Sequence, residues 1–510
     1  MVVKAVHVKQ GDLSGGEIRA GVRAPIVARK RSNVRGAKGA QEGGYVKAGQ
    51  TEGKPAAVLE VAKQAGEIRA RWAWVEPSVW TERMLTALEQ GVKGGVWFSL
   101  IDKVWSERNL RSAFAEVKAN KGGAGVDHQT IEMFESDLEG NLQRLAEELR
   151  GGRYEPREVR RCWIPKPGSR EKRPLGIPAV RDRVVQAALR HVLEPIFERD
   201  FAECSYGFRP GRGSKDALRE VDRLLKNGYH WAVDVDIKGY FDSIDHERLL
   251  GRVTKKVADG RVLELVGKFL KQGVMDGLEC WTPERGTPQG AVISPLLSNI
   301  YLDSLDHRLA ERGLRMVRYA DDFVVLCGSR EEAEEALALI RQWMEENRLE
   351  IHSEKTKVVD ARPPGGFDFL GYHFEQGRRW PRRKSLRKFK DAVRAKTRRA
   401  NGHSLEAIIA EVNRTLVGWF EYFKHSYWTT FAPLDGWIRM RLRSILRKRH
   451  GRRGRGRGLD HRRWPNAFFV EQGLFSLQAA HVLVCQSSWR RTADWRAGCG
   501  KSASPVRREG

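Results

Sequence analysis

The chain has 510 residues, with 92 lysines and arginines against 65 aspartates and glutamates, a net charge of +27. That length holds two to four domains with ample core, and the absence of any run of about 18 apolar residues argues against a membrane-spanning helix. The six cysteines (Cys162, Cys204, Cys280, Cys327, Cys485, Cys499) form no Cys-x-x-Cys pair, which argues against a zinc module and fits a reduced intracellular protein.

Residues 1–68 are rich in Gly, Ala, Lys and Arg, carry a net +6 and show little hydrophobic period, so a disordered basic leader is expected. The start lacks the apolar core of a secretory signal. From Trp72 helical patterns begin, with apolar spacing suited to helices over Leu100–Val117 and Ile131–Leu149. Residues 159–180, punctuated by Pro165, Pro167, Pro174 and Pro178, are expected to be extended and loop-like. From 181 to 360 helices alternate with short β-rich runs, an α+β pattern, and 385–450 is helical again. Charge is uneven: 69–380 is neutral, 381–463 carries +18 and 464–510 carries +3. A charge of +18 in 83 residues points to a polyanion partner, gripped through phosphate contacts and counterion release. Arg449 to Gly458 is an Arg/Gly tract that reads as a solvated loop touching phosphate.

Two acidic stretches carry the chemistry. In the first, Trp231-Ala232-Val233-Asp234-Val235-Asp236, apolar and acidic residues alternate. Residues two apart in a strand share a face, so Asp234 and Asp236 lie together. Asp242 falls outside this strand and is expected to cap the next helix. The second, Tyr319-Ala320-Asp321-Asp322, separates Met316-Val317-Arg318 from Phe323-Val324-Val325-Leu326-Cys327 and reads as a hairpin with carboxylates at its tip. Adjacent anions raise each other's pKa, and a divalent cation removes the conflict.

The Tyr-x-Asp-Asp hairpin resembles the catalytic turn of reverse transcriptases, and further stretches resemble the group II intron-encoded reverse transcriptase/maturases from about residue 80 to 480. They are Ile164-Pro165-Lys166-Pro167-Gly168 with Arg173 to Pro178, Ser205 to Pro210, the Asp236 strand, Gly286-Thr287-Pro288-Gln289-Gly290 with Ser294 to Asn299, Glu354 to Lys357, Phe367 to Tyr372, and Leu416 to Phe423. The resemblance implies an α+β right-hand polymerase: fingers, a palm with an antiparallel sheet, a helical thumb/maturase domain and a basic C-terminal extension. Its boundaries are expected at 1–68 (leader), 69–230 (fingers), 231–380 (palm), 381–450 (thumb/maturase domain) and 451–510 (nucleic-acid-binding tail).

The resemblance also implies roles. Asp236, Asp321 and Asp322 would be catalytic and, with Ile237, would hold two Mg²⁺ ions, Mn²⁺ being a substitute. Lys166 and Arg173 would close over the incoming dNTP. Phe241 would exclude a ribose 2′-hydroxyl, Gln289 would touch template or nucleotide, and Lys355 would act near the leaving pyrophosphate. Ala291 stands where the family usually has a second glycine. Trp419 and Phe423 are expected in a helical core, with Arg414, Arg439, Arg441 and Arg443 as RNA contacts. Gly500-Lys501-Ser502 lacks the first glycine of a P-loop, and without paired cysteines no C-terminal endonuclease is expected. The expected partners are intron RNA, an RNA template with a DNA primer, dNTPs and target DNA, in the bacterial cytoplasm near the nucleoid. The alternatives are a splicing factor with little polymerase activity or a domesticated or defence-associated reverse transcriptase.

Overall fold

The computed structural model describes residues 66–165, 172–454 and 458–486. Residues 66–73 belong to a separate unit, Val3–Ala73; nearly all of the leader, together with Lys166, Arg455, Arg457 and Gly500–Ser502, lies outside the described residues.

Among the described residues, strands run in chain order as β1 (Val159–Pro165), β2 (Lys172–Ile177), β3 (Trp231–Val235), β4 (Val274–Asp276), β5 (Glu279–Trp281) and β6 (Arg315–Tyr319). Then come β7 (Asp322–Cys327), β8 (Lys357–Asp360), β9 (Phe367–Phe369), β10 (Tyr372–Glu375) and β11 (Arg378–Pro381). They build three sheets, of order β2-β1-β4-β5, β6-β7-β3-β8 and β11-β10-β9. The second is antiparallel throughout, with Val235 opposite Phe323 and Asp234 opposite both Val324 and Lys357. Val233 and Val235 lie on one face and Val317 and Val324 on the other, and all four are fully buried or nearly so, so both faces of this sheet are covered.

The first sheet corrects the loop-like reading of 159–180. β1 and β2 form an antiparallel hairpin running from Arg160↔Ile177 to Pro165↔Lys172. The prolines permit it: Pro165 ends β1, and Pro174 lies in β2, which is the edge strand. A proline there leaves no ladder bond unmade. The two expected long helices are each divided. Ser106, whose side chain accepts from the Asn109 amide, starts Glu107–Asn120 after the short Ile101–Val104. Asp137 separates Ile131–Glu135 from Leu138–Arg150.

Spatial grouping does not follow the expected chain boundaries. Helix Ser214–Lys226, inside the 69–230 segment, buries Leu218, Val221 and Leu224 against Val317 and Val324 of the second sheet. Conversely β4 and β5, inside 231–380, join β1 in the first sheet. Helix His246–Val253 is capped by Asp245, whose carboxylate accepts from the Arg248 amide at 3.0 Å, and not by Asp242, which lies within the short helix Tyr240–Ser243. Asp245 precedes the first helical amides directly and so reaches the unpaired donors.

The +18 segment forms helices Arg383–Lys396, Leu405–Phe423 and Phe431–Arg449. They bury Phe389, Val412, Leu416, Phe420, Phe431, Ile438 and Leu442. Residues 459–486 are not a tail. Trp464, Phe469 and Leu477 are buried in the same core, each contributing roughly 1.5–3 kcal/mol by burial. Asp435 fixes the segment by accepting from the Leu477 amide at 3.0 Å and from the Ser476 hydroxyl at 2.7 Å.

Candidate functional site

The hairpin β6–β7 closes at Tyr319↔Asp322, leaving Ala320 and Asp321 as its turn. Ala320 has φ 60°, a region that favours glycine at the first turn position. Buried contacts hold it there. The fully buried Arg318 donates to the Ala320 carbonyl at 3.0 Å and to Asn299 Oδ1 at 2.9 Å, and it pairs with the equally buried Asp306 at 2.5 Å. Asn299 Nδ2 in turn donates to the Gly207 carbonyl at 2.9 Å. A Cβ on Gly207 would stand 2.8 Å from the Tyr319 carbonyl carbon and would clash with the Ala320 amide. Arg318, Asp306 and the reason for Gly207 escape sequence reading. An arginine inside a β run is the signal, because an alternating strand seldom buries a charge without a partner.

Asp236 directly follows β3, one step beyond the Val235↔Phe323 pair, which sets it beside Asp322. Its carbonyl accepts from the His352 amide at 2.8 Å, its amide approaches the Thr356 hydroxyl at 3.4 Å, and its carboxylate pairs with Lys355 Nζ at 2.8 Å. Buried Ile237 is held by a bridge to Ile351. Thus 350–356 fixes the Asp236 turn, and Lys355 touches a carboxylate of the site directly.

Asp321, Asp322 and Asp234 resist ionisation. Burial raises Asp321, with Asp236 adding to the rise and Arg173 opposing it. Burial first, then Asp321 and Asp236, push Asp322 up to about 6. Asp234 is pushed up to about 7 by burial and by Asp322, against the pull of Lys357. Among the described residues no three His, Cys, Asp or Glu side chains are already gathered as a metal cage. The donor set nonetheless suits a hard divalent ion: all carboxylate, half-buried and mutually repelling, which a cation relieves.

The other expected residues fall around this centre. Arg173, exposed on β2, lies close enough to act electrostatically on Asp321. Half-buried Phe241 accepts on its carbonyl from the Thr287 amide at 2.7 Å, which ties the Phe241 turn to the 286–290 loop. Gln289 is half-buried, and its carbonyl accepts from the Gly176 amide at 2.7 Å. Gly290 at φ 112° would carry a Cβ 2.6 Å from the Gly176 carbonyl, so glycine is needed there; Ala291 does not have positive φ and is accommodated.

The helical domain modifies the expected RNA contacts. Arg414 is exposed, but Arg443 is buried and donates to the Trp464 carbonyl at 2.9 Å and Asn466 Oδ1 at 2.8 Å, a structural role. Arg441 donates to Thr397 Oγ1 at 2.6 Å. Trp419 is only partly buried and stacks on Phe389 at 4.4 Å, whereas Phe423 is buried with Phe367, Phe369 and Tyr372. Between β9–β11 and helices 383–396 and 405–423 lies a cleft of about 1640 Å³, lined in part by Arg382, Arg383, Lys384, Arg387 and Lys388.

A model of the reverse transcriptase (RNA-dependent DNA polymerase) family matches residues 164–374, so the module that presents these carboxylates belongs to a class of nucleotidyltransferases. A model of the group II intron maturase-specific domain matches residues 386–464. The chain belongs to the group II intron reverse transcriptase/maturase family. Protein YkfC of Escherichia coli (strain K12) is 33% identical over 342 residues, covering 59% of this chain and 85% of that protein. The group II intron-encoded protein LtrA of Lactococcus lactis subsp. cremoris is 31% identical over 335 residues, covering 51% of this chain and 54% of LtrA. A solved partial Cas6-RT-Cas1–Cas2 complex is similar at TM-score 0.33 and 26% identity, over 49% of this chain and 41% of that one.

Proposed function

We propose that the chain is an RNA-directed DNA polymerase and an intron maturase, which binds group II intron RNA, assists its splicing and copies RNA into DNA. The observation that carries the polymerase reading is the setting of Asp236 beside the Asp321-Asp322 turn at one end of an antiparallel sheet. In this reading that sheet is the palm, the β2-β1-β4-β5 sheet and the helices before it form the fingers, and the helices from 383 onward form the thumb. Asp236, Asp321 and Asp322, with Ile237, would hold two Mg²⁺ ions. Such ions supply activation of a primer 3′-hydroxyl and neutralise charge on the triphosphate.

The chain's own residues do the rest. Arg173, with Lys166 as its expected partner, orients the triphosphate by neutralising its oxygens. Phe241, fixed to the 286–290 loop, restricts the space at the sugar's 2′-carbon. Lys355 exchanges Asp236 for the anionic substrate, which leaves the carboxylate available as a ligand. The basic cleft suits a primer–template duplex, since phosphate contacts position nucleic acid without reading its sequence. The maturase reading rests on the matched 386–464 domain and its exposed cations.

The test uses the purified full chain. It should extend a DNA primer on an RNA template with dNTPs and a divalent ion. It should also accelerate splicing of its flanking intron RNA at moderate magnesium. Splicing without extension would favour the splicing-factor alternative, and extension without intron binding would favour a domesticated enzyme.

A further inference from the structure

On the β2-β1-β4-β5 sheet, one face carries an aromatic pair that the fold leaves open to solvent. Val159, Arg161 and Trp163 alternate along β1 and so share a face. Val274 lies beside Val159, and Trp281 lies opposite Val274, which brings Trp281 to the same face. The Arg161 guanidinium carbon is 5.5 Å from the Trp163 ring centre and 4.7 Å from that of Trp281. Trp163 is 44% exposed and Trp281 37%. The Trp163 ring is not loose, because its Nε1 donates to Asp276 Oδ2 at 2.8 Å.

This face adjoins the site. Gly176 lies opposite Arg161 and so faces the same way, and a Cβ built on it would meet Pro288 at 3.2 Å. The loop containing Gln289 therefore runs along the β2 edge, with Pro288 towards the face that bears the two tryptophans. Arg161 is also near enough to draw on the carboxylate of Asp242, next to Phe241. A strand passing the Gln289 loop would meet Arg161 and the two rings next.

We propose that Trp163 and Trp281, with Arg161 between their positions on the sheet, form a stacking platform for an unpaired nucleobase of the strand being copied, ahead of the primer terminus. A single-stranded nucleic acid suits the chemistry: indole faces stack any base, and Arg161 adds a cation for the flanking phosphate. Both rings are already exposed and Trp163 is anchored by its bond to Asp276, which lowers the ordering cost of binding. This inference rests on the reading of the chain as a template-copying polymerase.

The experiment places 2-aminopurine at the first or second unpaired template position of an RNA template annealed to a DNA primer. The full chain should quench its fluorescence on binding, and the unpaired overhang should tighten binding relative to a blunt duplex. The double variant Trp163→Ala/Trp281→Ala should lose the quenching and bind the overhang duplex about fivefold to 150-fold more weakly, the loss expected for one stacked base. Its affinity for the blunt duplex should stay unchanged, which also reports correct folding. Trp163→Phe/Trp281→Phe should restore quenching. Unchanged quenching and overhang preference in the alanine variant, with primer extension intact in the parent, would overturn the platform alone. If the parent protein extends no primer at all, the polymerase reading itself has failed. An equal loss on overhang and blunt duplexes would also overturn the proposal, since the rings would then be structural.

Discussion

Replacing Gly207 by alanine tests whether the Ala320-Asp321 turn is held from below. The added Cβ would lie 2.8 Å from the Tyr319 carbonyl carbon, where ordinary contact starts at 3.4 Å, and nearer still to the Ala320 amide. The neighbours on the other side, Arg318 and Asn299, are buried and hydrogen-bonded, so they cannot give way cheaply. The Tyr319–Ala320 backbone must therefore move by at least about 0.6 Å. A misplacement of about 1 Å costs on the order of 100-fold in rate, so Gly207→Ala should slow single-turnover primer extension by roughly 10- to 100-fold. RNA binding should hold near the parent value, because Gly207 touches the turn and not the basic cleft. Gly251→Ala is the matched control, since nothing lies within 4 Å of the added carbon in helix His246–Val253. It should leave activity unchanged and gain up to about 1 kcal/mol in stability. An extension rate for Gly207→Ala within twofold of the parent would refute the reasoning.

Arg318→Met should destabilise the chain by about 3–5 kcal/mol in thermal or denaturant unfolding, because it leaves Asp306 buried and uncompensated; a loss under about 1 kcal/mol, or no recovery in Arg318→Met/Asp306→Leu, counts against the network. Phe241→Ala should raise ribonucleotide incorporation more than it lowers dNTP use, and an unchanged rNTP/dNTP preference would leave Phe241 as packing only. Burial, opposed by Arg190 and assisted by Glu198 and Glu116, pushes Glu194 up to about 7 from 4.5. A carboxyl raised in the folded state contributes stability that is full below its unfolded pKa of 4.5 and is lost as pH rises towards 7. Glu194→Gln should therefore stabilise the protein above pH 7, by at most about 3 kcal/mol, and show no gain below about pH 4.5; a pH-independent difference would contradict this.

The Tyr319–Asp322 hairpin and the Asp236 strand were legible because alternation, turn position and charge all agree there. The helical character of 385–450 was legible, though not its division into helices 383–396, 405–423 and 431–449. What escaped was set by tertiary context. Pro174 marks a loop by propensity, yet an edge strand tolerates it. Asp242 and Asp245 are both plausible caps, and only the helix start at His246 decides between them. Arg443 counts as surface charge in composition, although Trp464 and Asn466 take it into the core. The segment after 458 is expected to be a basic tail, but Trp464, Phe469 and Leu477 are spaced to fill one side of a helical core that only the preceding helices define. The Arg318–Asp306 pair spans two elements whose proximity no local pattern reveals. The two exposed tryptophans lie far apart in the sequence, and only the sheet places both on one open face.

The central claim is that Asp236, Asp321 and Asp322 act together in divalent-ion-dependent nucleotidyl transfer. Its most direct test is Asp321→Asn, a near-isosteric change that removes one negative charge from the turn. Primer extension on an RNA template would be measured across a Mg²⁺ titration, with intron RNA binding measured on the same preparation. The account predicts that extension is abolished at every Mg²⁺ concentration while RNA affinity stays within about twofold of the parent. Extension by Asp321→Asn at a rate comparable to the parent would contradict it.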